Sequence, residues 1–216
     1  MNKNIILWDW DNTLVDTFAA ILDAQNVMRH FYGLPDWSKE EAKKAMNISG
    51  RNLIRDLVGE EKVFEARQIY LSAYIKSASK ISLKEGALDV LKKAKTLGYI
   101  SILASNKAGN ILRNEVKILN IEHYFNRIIG AEDTFDDKPS KLFTDMALSG
   151  FSYERIYSIG DGKADIKMGH NYENGKSILV WTNPDSAEFR DDKPDYAFIG
   201  LKDLSLFLEQ ESKIYH

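Results

Sequence analysis

Ile5-Ile6-Leu7-Trp8-Asp9-Trp10-Asp11-Asn12-Thr13-Leu14-Val15-Asp16-Thr17 is the stretch that decides the fold. Its first four residues form a short apolar run bounded by polar ones and predict a buried β-strand. Asp9 and Asp11 then stand two residues apart at the strand's C-terminal end. In open α/β sheets, ligands bind outside the carboxyl ends of the strands. Two carboxylates at such a place can hold a divalent cation, or divide nucleophile and acid–base duties between them.

Further short apolar runs along the chain end in polar or acidic residues. They are Tyr99–Ala104, Arg127–Gly130, Arg155–Gly160, Ser177–Trp181 and a weaker Tyr196–Ile199. Helical periodicity separates most of them, over Ala87–Leu97, Asn110–Leu119 and Lys141–Leu148. Alternation of this kind predicts an α/β fold, a Rossmann-like parallel sheet with helices on both faces. Strands that are apolar throughout fit burial on both faces.

The alternation breaks between Asp16 and Ser82. Phe18–Tyr32, Lys39–Met46, Arg51–Leu57 and Glu60–Ser77 read as successive helices, punctuated by Pro35 and Gly50. The expected organisation is therefore an α/β core of residues 1–15 and 83–216 with a helical unit, 16–82, inserted after the first strand. A unit leaving from that strand's end could act as a lid that excludes water.

The whole chain sets limits on function. At 216 residues it is long enough for one core plus a modest second unit. Net charge is −3, from 29 Lys+Arg and 32 Asp+Glu, so no general attraction to nucleic acid or anionic membrane is expected. There are no cysteines, which excludes disulfides, thiolate metal sites and Cys nucleophiles. The first apolar run is too short for a signal-peptide core, and no stretch approaches the roughly 20 apolar residues of a membrane span. Together these fit a cytoplasmic protein.

Four polar clusters follow predicted strands: Asp9/Asp11, Ser105-Asn106-Lys107, Lys138-Pro139-Ser140, and Gly160-Asp161-Gly162-Lys163-Ala164-Asp165. A parallel sheet would gather these at one edge. Singly, each has a plain structural alternative. Asp9/Asp11 could be a solvated turn, Ser105-Asn106 a helix cap, Lys138 a surface lysine at a helix start, and Asp161/Asp165 an acidic loop. Asp16 is expected to cap the first inserted helix, Trp10 and Trp37 to pack, and the Glu132–Asp137 acids to form a solvated loop. Asn12 tolerates a left-handed backbone better than most residues, so a tight loop can form there.

Taken in order, the clusters resemble the haloacid dehalogenase-like (HAD) hydrolase superfamily. Asp9-Trp10-Asp11-Asn12-Thr13 matches its DxDxT motif, Ser105 the second motif, Lys138 the third, and Gly160-Asp161 through Asp165 the fourth, GDxxxD. The inserted helices match the place of that family's α-helical C1 cap. Leu14-Val15-Asp16-Thr17 and Ser105-Asn106-Lys107 look like phosphoglycolate-phosphatase-like members.

The resemblance implies a Mg²⁺-dependent phosphatase acting on a small phosphorylated metabolite. Asp9 would attack phosphorus and form an aspartyl-phosphate. Asp11 would protonate the leaving oxygen and then take a proton from water. That needs a protonated start, which acidic neighbours or desolvation would favour. Asp9, the Asp11 backbone carbonyl, Asp161 and Asp165 would hold Mg²⁺, with Asp165 alternatively orienting a water or Lys138. Ser105 would bind the phosphoryl group and Lys138 neutralise it. Asn106, and Arg51 in the cap loop, are candidate substrate contacts. A phosphomutase, a phosphonatase, a dehalogenase and a non-catalytic binding protein are the alternatives. Asp11 and the acidic fourth motif weigh against the dehalogenase, which needs neither a protonated leaving group nor a metal.

Overall fold

The computed structural model describes residues 4–45, 50–77 and 81–214. The chain divides into two units, Met1–Val15 with Leu83–His216, and Asp16–Ser82.

The first unit is built on a six-stranded parallel sheet. Its strands are β1 (Asn4–Trp8), β4 (Ile100–Ala108), β5 (Arg127–Ala131), β6 (Arg155–Gly160), β7 (Gly175–Val180) and β8 (Tyr196–Phe198). They lie in the order β5-β4-β1-β6-β7-β8. The chain builds outward from β1 through β4 and β5, then returns to β1's other side to lay down β6, β7 and β8. That reversal falls between β1 and β6 and opens a crevice at their carboxyl ends. The α/β Rossmann-like architecture expected from the sequence is the one observed.

Register fixes what meets in the crevice. Trp8 pairs with Leu103 on one side and Ile159 on the other. Asp9, one residue past Trp8, and Ser105 and Asp161, two residues past its partners, therefore come to one edge. Every residue of β1 is buried. Alternate residues serve opposite faces, as strand geometry requires. Ile5 and Leu7 pack with Ile102, Ile129, Phe143, Ala147 and Met168. This core lies under α7 (Lys141–Leu148) and α8 (Lys163–His170). At the N-terminal end, Tyr99 stacks edge-on to Tyr157 and donates to the Leu208 carbonyl of α9 (Leu201–Ile214).

The second unit is helical: α1 (Phe18–Phe31), α2 (Lys39–Ala45), α3 (Gly50–Val58) and α4 (Val63–Ser77). Met28, Ile54 and Ala66 form its core, with Tyr32, Leu57, Val63 and Ile69 around them. Trp37 packs, as expected. It covers the Arg29 guanidinium at 4.5 Å, and its backbone exchanges hydrogen bonds with the Asn26 side chain. Two short strands, β2 (Val15–Asp16) and β3 (Ser82–Leu83), pair where the chain leaves and returns.

Asp16 differs from its expected role. It is still extended strand, so Thr17 takes the N-cap position of α1, without a side-chain cap bond. Ser105 and Asn106 do not cap a helix either, because β4 runs on through Ala108 and α6 (Gly109–Ile118) starts only afterwards.

Candidate active site

The loop after β1 is closed by its own backbone. Asn12 N–H donates to the Val15 carbonyl at 2.7 Å, and Leu14 and Val15 N–H both donate to the Trp10 carbonyl at 3.1 Å. The turn requires a left-handed residue, and Asn12 supplies it with φ 60°. From outside, the Trp181 indole N–H donates to the Thr13 carbonyl at 3.0 Å. Asp9 is thereby held at the mouth of the central strand, its N–H bonded to the Ile159 carbonyl at 2.9 Å.

Asp9 is only 7 % exposed, and both its carboxylate oxygens are engaged. Lys138 Nζ donates to Oδ1 at 2.6 Å, and the Thr13 hydroxyl donates to Oδ2 at 2.9 Å. Lys138 also donates to Asp165 Oδ1 at 2.7 Å. Lys138 is thus a buried bridge, not a surface lysine. Burying an ammonium is costly unless it is paired, and here two carboxylates pair it. Burial works against its charge, but Asp165 and Asp9 more than offset that and hold it above its ordinary range.

Asp9, Asp161 and Asp165 each bring a carboxylate oxygen to within 4.8 Å of the others. Burial pushes the Asp9 carboxyl up to about 7; Lys138 pulls against the rise, and Asp165 and Asp11 add to it. Burial, then Asp9 and Asp165, hold Asp161 well above the ordinary carboxylate range. Such a set of hard oxygen donors, crowded enough to resist ionising together, fits a divalent cation that would relieve the repulsion.

The fourth motif is shaped for this crowding. A Cβ on Gly160 would fall 2.0 Å from Asp165 Cγ, so only glycine allows that approach. Asp165 Oδ2 accepts from the Gly162 N–H at 3.2 Å, and Thr182 Oγ1 donates to the Asp161 carbonyl at 3.0 Å. One side of Asp165 is thus spent on its own loop and the other on Lys138.

Ser105 is buried, and its oxygen accepts the Lys107 N–H at 3.2 Å. The Asn106 amide bonds the Lys138 backbone at both ends, Oδ1 accepting from the N–H at 2.7 Å and Nδ2 donating to the carbonyl at 3.2 Å. Asp11, partly exposed, lies 2.7 Å from the Lys107 ammonium. Arg51 belongs to α3, and its side chain falls outside the described residues, as does the loop before it. Asp133 of the acidic loop is not simply solvated; it accepts from Arg113 and from the Gly130 N–H.

Thr13, Lys107 and Glu115 also belong to this region, and motif spacing alone assigns none of them a role.

The sequence profile of the haloacid dehalogenase-like hydrolase family matches residues 6–179. The chain belongs to this family. Among curated relatives, this HAD-like hydrolase is 24% identical to phosphoglycolate phosphatase 1 of Pseudomonas aeruginosa, over 97% of its own chain and 81% of that protein. It is 24% identical to pyrophosphatase PpaX of Listeria welshimeri, over 95% and 96%. A haloacid dehalogenase-like hydrolase from Streptococcus pneumoniae shares its fold, with TM-score 0.79, 24% identity and coverage of 95% and 98%. The hydrolase's described residues contain no helix long and apolar enough to cross a membrane.

Proposed function

We propose that this hydrolase is a Mg²⁺-dependent phosphatase that cleaves a small phosphomonoester through an aspartyl-phosphate on Asp9. The observation that carries this is Lys138 bridging Asp9 and Asp165 beside the Asp161 carboxylate, two residues from Asp11. A nucleophilic carboxylate facing a phosphate dianion needs nearby positive charge, which Lys138 supplies 2.6 Å from Asp9 Oδ1.

Asp9, the Asp11 backbone carbonyl, Asp161 and Asp165 are the groups that would hold Mg²⁺. Bound there, the cation would neutralise charge on the transferring phosphoryl group. Asp9 forms the new O–P bond as the bond to the leaving oxygen breaks, and Asp11 gives that oxygen a proton. Asp11 then takes a proton from water, whose oxygen bonds phosphorus as the Asp9–phosphorus bond breaks. Ser105, which accepts from Lys107 and so keeps its O–H as a donor, would bind a phosphoryl oxygen. Asn106 would act by holding Lys138.

Residues 16–82 would serve as the cap that selects the leaving group, with Arg51 a candidate contact. The phosphatase names of the curated relatives support the substrate class. The cysteine-free composition and the weak net charge fit a cytoplasmic enzyme acting on a metabolite and not on nucleic acid. Asp11 and the acidic cluster favour phosphoryl transfer over carbon–halogen displacement.

The test is phosphate release from a panel of phosphorylated metabolites with and without Mg²⁺, alongside halide release from haloacids. Mg²⁺-dependent phosphate release supports the proposal. Halide release, or no phosphate release from folded protein across the panel, overturns it.

A further inference from the structure

Glu115 and Lys107 form a buried ion pair that the proposed reaction leaves unused. Glu115 sits on α6 and is 1 % exposed. Its carboxylate accepts the Trp10 indole N–H at 2.6 Å and the Lys107 ammonium at 2.9 and 3.2 Å. Lys107 Nζ is at the same time 2.7 Å from Asp11 Oδ1. The series Glu115–Lys107–Asp11 therefore runs from the interior to the partly exposed carboxylate, and Trp10 lies between the two site acids in sequence.

A buried ion pair is a poor source of net stability, because desolvation consumes most of its attraction. What the pair does supply is a fixed ammonium at Asp11. Lys107 has a long, freely rotating stem, and Glu115 removes that freedom by gripping its head. Trp10, fully buried, fixes Glu115 in turn.

We infer that Lys107, held by Glu115, is a positioning residue that sets the side-chain orientation of Asp11 for proton transfer to and from the leaving oxygen. The inference rests on the proposed role of Asp11 as acid–base. A proton donor must lie within hydrogen-bond reach of its target, and a misplacement of about 1 Å can cost about 100-fold.

The test uses leaving-group dependence. An alkyl phosphate expels an alkoxide, a strong base that needs the proton; 2,4-dinitrophenyl phosphate expels a stabilised phenolate that leaves without it. kcat/KM reports the step that expels the leaving group. For Lys107→Met, kcat/KM on the alkyl phosphate is expected to fall about 10- to 100-fold, and on the aryl phosphate by no more than about threefold. Because Lys107→Met strands a buried carboxylate, the double variant Lys107→Met/Glu115→Gln is measured too. It removes both charges, keeps an acceptor for Trp10, and should show the same discrimination.

Equal losses on both substrates in the double variant would mean a merely structural role and overturn the inference. So would unchanged or increased alkyl phosphate turnover. Asp11→Asn separates the two levels. If it shows no leaving-group discrimination while the wild type hydrolyses both substrates, the acid–base role itself fails, whatever Lys107 does.

Discussion

Lys138 Nζ lies 2.6 Å from Asp9 Oδ1 across 129 residues of sequence. The same ammonium is shared with Asp165. Replacing it by Met would leave two buried carboxylates facing each other without their cation. Lys138→Met is expected to lower kcat by about 100- to 1,000-fold and to destabilise the protein by about 3–5 kcal/mol. Initial rates and denaturant titration measure the two effects. Turnover close to wild type would remove Lys138 from the site.

Gly160→Ala tests the crowding of the acidic cluster. The new methyl group would occupy the place of the Asp165 side chain, displacing it from Lys138. We expect a loss of about 1–3 kcal/mol in stability and an activity loss larger than stability alone explains. A folded Gly160→Ala protein with full activity would show that Asp165 need not stand where it does.

Asn106→Leu keeps volume but breaks both hydrogen bonds to the Lys138 backbone. If Asn106 works by holding Lys138, kcat should fall by about tenfold while KM changes little. A raised KM at unchanged kcat would instead place its side chain on the substrate.

Mg²⁺ binding should be visible without any assay of activity. A cation entering the Asp9–Asp161–Asp165 cluster stabilises the folded state by mass action, about 2.7 kcal/mol at 100 times its Kd. Thermal unfolding should therefore shift upward with Mg²⁺ in the wild type and shift little in Asp161→Asn. Equal shifts in both proteins would place the cation elsewhere.

Asp195 offers a pH test away from the site. Partial burial opposes its ionisation. The Ser177 N–H, the Lys176 ammonium and the Ser177 hydroxyl outweigh that and bring its pKa to about 2. The folded value lies below the ordinary 3.8. Its contribution is therefore present above about pH 4 and is lost as pH falls toward 2. After discounting for solvent exposure it is worth roughly 1 kcal/mol. Asp195→Asn should cost that much at pH 7 and nearly nothing at pH 2, as read by denaturant titration.

The strands, the helical insertion and the polar clusters were legible because each rests on local pattern. Ile5–Trp8 and Arg155–Gly160 are apolar runs with polar stops, and the structure builds strands on both. Asp9, Asp161 and Asp165 could be grouped because a parallel sheet brings strand ends together. Pairings across the chain were not legible in the same way. Nothing near Lys138 in sequence says that Asn106 will grip its backbone. Glu115 did leave a signal. It shares with Ile111, Leu112 and Val116 the buried side of α6, where helical periodicity calls for an apolar residue. A charge at such a position announces a buried partner, here Lys107 and Trp10. The cap contact expected of Arg51 depends on side-chain placement that periodicity does not give.

The central place of β1 has a consequence for synthesis. Asp9 leaves the ribosome well before its neighbour strand β6 and the Asp161 carboxylate, which come roughly 150 positions later; Thr13 and Asp161 are 148 apart. A nascent chain halted after α6 carries Asp9, Asp11, Ser105 and Lys107 but only one flank of the sheet. Such long-range parallel pairing also closes slowly. On the proposed assignment, Asp9 would therefore gain its full set of acidic neighbours only once translation has passed the GDxxxD segment.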